Sequence, residues 1–102
     1  MDLLGELEEA LTFSEQAIHA RPDHGLVANN HCYLLVRLQR ATEALPYCER
    51  ALLLMPSSSA VRHSMATVLG ALGRCAEAAE QDAESRRLDA VSRRPEVMCV
   101  ER

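Results

Sequence analysis

The chain has 102 residues, with eleven arginines, no lysine and fifteen acidic residues, and a net charge of −4 at neutral pH. That balance argues against nucleic acid as a partner, because neutralising phosphates needs a basic surface. One Phe, two Tyr and no Trp leave Leu, Ala, Val and Met to build the core, which favours close helix packing over a sheet sandwich.

In chain order, apolar residues at helical spacing predict a first helix over about 6–20, carrying Leu7, Ala10, Leu11, Ala17 and Ile18 and ended by Arg21-Pro22-Asp23. Phe13 gives it apolar character on a second face. The helix that should cover it is reduced to Met1-Asp2-Leu3-Leu4. The chain therefore reads as a fragment of a longer array, or as one whose first helix is covered by a partner or a second copy. After the turn Asp23-His24-Gly25, a second helix is expected over about 26–38. A third follows over about 42–55, with Thr42 as its N-cap. That places Pro46 where a kink or a late start is expected. Ser57-Ser58-Ser59 makes a loop and caps a fourth helix over about 60–72, closed by Gly73. The fifth helix, about 76–88, carries Glu80, Gln81, Asp82, Glu84, Arg86 and Arg87 and suits a terminal cap facing water. Residues 93–102 read as a flexible tail.

No uncharged apolar stretch approaches the ~20 residues that span a bilayer. The acidic N-terminus does not read as a secretory signal. A cytoplasmic setting with no membrane partner is the expectation.

Glu-Ala recurs at Glu9-Ala10, Glu43-Ala44 and Glu77-Ala78, 34 residues apart each time. Leu4, Leu38 and Leu72 keep the same phase, as do Pro22 and Pro56, Ala17, Ala51 and Ser85, and Gly5, Gln39 and Gly73. Small residues at this interval let helices approach closely, and a proline ends the first two units. With its segments Gly5-Glu6-Leu7-Glu8-Glu9-Ala10-Leu11, Glu43-Ala44-Leu45 and Gly73-Arg74-Cys75-Ala76-Glu77-Ala78, the chain resembles the tetratricopeptide repeat family over about residues 3–92. It departs from the family at Ala28 and Arg62, at His31-Cys32 and Met65-Ala66, and at Ala90 in place of a terminal proline. The resemblance implies an all-α fold, a right-handed α-solenoid of about five helices in hairpins. Its units would be a partial repeat at 1–24 and repeats at 25–58 and 59–92.

In such an array the first helix of each pair lines an inner groove. Leu26, Asn29, Tyr33, Val36 and Arg37 share one helix face. Their equivalents in the next unit are Ala60, His63, Thr67, Gly70 and Ala71. This mixture suits an extended or helical segment of a protein partner. Leu26, Tyr33 and Val36 would supply burial, Arg37, Asn29 and Asn30 would fix orientation, and His63 and Thr67 would complete the site. Asn30 matches one position of the clamp with which some family members hold a C-terminal carboxylate. Ala60 and Ser64 stand where that clamp wants basic residues, so the clamp is not expected.

The four cysteines, at 32, 48, 75 and 99, form no C-x-x-C pair. Cys32, Cys48 and Cys75 are expected as buried free thiols at helix-packing positions, and Cys99 as a thiol in the tail. His19, His24, His31 and His63 show no metal-ligand spacing. No nucleophile elbow, phosphate loop or paired-carboxylate pocket is present. The sequence therefore predicts a non-enzymatic protein-interaction scaffold with no catalytic residues, metal or cofactor. The alternative is a repeat fragment recruiting substrate for a larger enzyme such as a glycosyl- or sulfo-transferase. Self-association through the uncovered first helix is a third expectation.

Overall fold

The computed structural model describes residues 3–90 and 97–100. Five α-helices follow one another: α1 (Leu3–Ala20), α2 (Gly25–Arg37), α3 (Ala41–Leu54), α4 (Ser59–Ala71) and α5 (Cys75–Leu88). No strand occurs among the described residues. The fold is all-α and helical-repeat-like. α2 lies along α3, and α4 along α5, forming two hairpins. α3 contacts α4, α2 also touches α4, and α1 rests on α2. Among the described residues, α1 meets no helix except α2 and α5 none except α4.

The 34-residue phase is visible in the turns. His24 and Ser58 each accept a hydrogen bond from the backbone N–H three residues on, capping α2 and α4. At the other end of these helices, Gln39 (φ 64°) and Gly73 (φ 79°) adopt the left-handed conformation. Paired backbone bonds close both turns: Arg40 N–H to the Leu35 carbonyl (2.8 Å) and Gln39 N–H to Val36 (3.0 Å), then Arg74 to Leu69 (2.9 Å) and Gly73 to Gly70 (3.1 Å). This is the αL helix stop that glycine makes most readily. Arg40 and Arg74 then start α3 and α5, paired with Glu43 and Glu77 at 2.7 and 2.6 Å. Each hydrogen-bonded guanidinium holds its partner carboxyl below the usual carboxylate range. The third helix does not start late. Arg40 rather than Thr42 is its N-cap, and α3 runs through Pro46 to Leu54.

Small residues sit where the helices of the two hairpins cross, whereas Ala10 and Ala17 of the first unit are only partly buried. Ala44, Ala51, Ala28 and Ala66 are fully buried, and Ala78 and Ser85 nearly so. Leu11, Leu35, Leu69, Val68 and Met65 fill the space between them. Ser85 Oγ donates to the Ser59 carbonyl at 2.8 Å, tying α5 to the start of α4.

The cysteines correct the sequence expectation. None is a free thiol. Cys32 and Cys48 form a disulfide between α2 and α3, with Cα atoms 5.4 Å apart. Cys75 at the start of α5 is joined to Cys99, at 5.7 Å. Both separations lie within the range a disulfide spans. Of the expected tail at 93–102, residues 97–100 are described, and they lie against α4.

Candidate functional site

α2 and α4 present neighbouring faces, and the space between them is the trough in which a partner segment was expected. Tyr33 and Val36 from α2 come together there with His63, Thr67 and Ala71 from α4. The opposite side is closed by Val97, Met98 and Val100 of the chain itself, leaving a cavity of about 250 Å³. These walls carry little charge. Thr67 turns its hydroxyl onto the His63 carbonyl at 2.9 Å, so even this polar group is used within its helix.

Four of the eight residues expected at the site, Tyr33, Val36, His63 and Thr67, are brought together by the fold. Leu26, Asn30 and Arg37 are solvent-exposed on α2 and lie outside the cavity lining. Arg37 places its guanidinium 5.9 Å from the centre of the Tyr33 ring, a cation–π contact at the rim. Asn29 is buried, and its Oδ1 meets no hydrogen-bond donor among the described residues. It lies one turn before Tyr33 on the same face of α2.

The tail segment is held at three points. The Val100 N–H donates to the Gly70 carbonyl at 2.9 Å. Val97 packs against the main core. The Cys75–Cys99 disulfide ties the segment to α5. Gly70 makes the approach feasible, since a Cβ built there would collide with the Met98 carbonyl oxygen and crowd the Val97 side chain. A glycine inside a helix is unfavourable relative to alanine, and close passage of another backbone accounts for it here. Val97, Met98, Val100 and the Cys75–Cys99 pairing were not expected at the site. Two signals could have found them: the helix-interior Gly70, and the apolar run Val97-Met98-Cys99-Val100 in an otherwise polar terminus.

A larger cleft of about 840 Å³ opens between α1 and α3, lined by Thr12, Glu15, His19, His31, Arg40 and Tyr47 among others. His31 is buried at its base, with Nδ1 2.9 Å from Ser14 Oγ and its ring edge-on to Tyr47 at 4.4 Å. Burial holds the imidazole below its ordinary pKa; Glu15 opposes the shift, and Arg40 and Arg50 add to it. The arrangement is that of an interior histidine linking three helices. Among the described residues, no group of His, Cys, Asp or Glu is placed to hold a metal ion, and no helix is long and apolar enough to cross a membrane. Comparison of the sequence with family models and with curated proteins finds no match.

Proposed function

We propose that the chain is a non-enzymatic protein-interaction scaffold of tetratricopeptide type, and that the α2–α4 trough seats an extended apolar segment of a protein partner. The observation that carries this reading is the chain's own Val97–Val100 segment, non-helical and lodged against Tyr33, Val36, His63 and Thr67. A surface that accommodates one non-helical backbone, through the Gly70 carbonyl and apolar walls, has features peptide grooves use. Further support comes from the 34-residue phase shared by caps, αL turns and buried alanines.

Selection of random nine-residue peptides on the full chain carrying Cys99→Ser tests this reading. Recovered peptides should be rich in aliphatic residues. Their binding should fall at least tenfold on Tyr33→Ala, with the helical circular dichroism unchanged. Selection without any aliphatic bias, or binding indifferent to Tyr33→Ala, rejects it.

A further inference from the structure

We propose that the Cys75–Cys99 disulfide is a redox latch: it keeps the trough filled by the chain's own C-terminal segment, and its reduction by a dithiol opens the trough to an extended aliphatic peptide of another protein. The inference rests on the reading of the trough as a peptide seat and adds the control of access to it.

The two disulfides differ in exposure. Cys32 and Cys48 are both fully buried, whereas Cys75 and Cys99 are each partly exposed. A soluble dithiol reaches the second pair without unfolding the core. Position also favours cleavage there. Cys75 is the first residue of α5, and the partial positive charge at a helix N-terminus stabilises a thiolate. Cys75 is thus the better leaving group, directing attack to the Cys99 sulfur.

The step balances. One thiolate of the dithiol attacks Cys99 Sγ, the S–S bond breaks, and Cys75 leaves as thiolate. The second thiol of the reductant then resolves the mixed disulfide. Two electrons pass from dithiol to protein, the reductant becomes a disulfide, and the two cysteines end as thiols carrying the two protons the reductant gave up.

What remains in the seat after reduction is weak. The Val100–Gly70 hydrogen bond and the contact of Val97 with the core stay, while Met98 is 84% exposed and Val100 52%. The Gly70 carbonyl accepts from the Gly73 N–H within the αL turn and takes the Val100 N–H as a further donor, the position an incoming backbone N–H would occupy. An occupant therefore needs an extended backbone N–H aimed at Gly70, aliphatic side chains beside it, and no bulk where Gly70 lacks a side chain.

A fluorescein-labelled peptide of residues 95–102 carrying Cys99→Ser serves as the probe, titrated to the millimolar range, about the effective concentration of a tethered tail. It is added to the full chain in three forms: oxidised, reduced by dithiothreitol until two thiols per chain are counted, and Cys99→Ser. Anisotropy should show binding to the last two forms at least tenfold tighter than to the oxidised chain. Adding Gly70→Ala to Cys99→Ser should abolish it. Equal affinity for all three forms overturns the latch while leaving the trough as a peptide seat. Absence of binding to every form overturns both, and binding that survives Gly70→Ala shows that the probe sits elsewhere, which also overturns the proposal.

Discussion

In the α2–α3 hairpin a disulfide joins the two helices through their contacting faces. In the α4–α5 hairpin the positions in the same phase are Ala66 and Asp82: Ala66 is fully buried, and Asp82 pairs with Arg86 at 3.1 Å. The second hairpin holds together without a cross-link between its helices, so its cysteine is available for another use. Cys75 reaches Cys99 and ties down a segment outside the hairpin. The same bond thus does two jobs. Inside the core it restricts the unfolded chain; at the rim it selects what occupies a surface.

The largest expected consequence of this contrast is in stability. Replacing both Cys32 and Cys48 by Ala should lower the unfolding free energy by about 3 kcal/mol, the loop-closure value for a loop of this length. Cys75→Ala with Cys99→Ala should cost well under that, because the released segment regains freedom in the folded state as well. Urea denaturation of the two double variants measures the difference, and equal losses would break the comparison.

A smaller effect separates the two αL turns. Gln39 adopts a conformation that suits glycine, and Gly73 already has it. Gln39→Gly should stabilise the chain by about 0.5–1 kcal/mol, the relief of left-handed strain less the added freedom of the unfolded chain. Gly73→Ala should destabilise by about 1 kcal/mol. Thermal unfolding of the single variants decides it, and opposite signs are required.

The smallest expected effect is a pH dependence confined to the first hairpin. His31 has Met65 as its counterpart 34 residues on. Burial depresses the His31 pKa in the folded state, so the unfolded chain binds the proton more readily. The stability from the neutral imidazole is fully present above the ordinary value of about 6.5 and declines as pH falls below it, down to the folded-state value. His31→Met, which copies the second hairpin, should flatten that part of the stability profile. A profile unchanged by the substitution would show that His31 does not carry the acid sensitivity.

Much of the architecture was legible because it rests on local chemistry. Apolar spacing placed the ends of α2, α3 and α4 within about one residue, and Gly73 marked the end of α4. Thr42 misled as a cap because Arg40, three residues before Glu43, already gives the helix start an ion pair. The Cys32–Cys48 bridge had a signal that went unread. The two residues lie equally far from Arg40, the centre of the turn, and residues symmetric about the turn of a helix pair face each other. Cys99 offered no such symmetry. Its partner depends on where the chain returns after α5, a non-local event that hydrophobic spacing does not encode. For the same reason half of the trough could be read from two helix faces, while the segment closing it could not.

Because, among the described helices, α1 packs on α2 alone and α5 on α4 alone, the protein has no reason to come apart all at once. Fluctuations that detach α1 or α5 disturb one contact surface and leave the remaining helices joined. Amide hydrogen exchange should therefore advance inward from both ends, reaching Val68 and Leu69 last. Chemistry at those inner amides would report the global opening rate, whereas the outer helices would report only their own fraying.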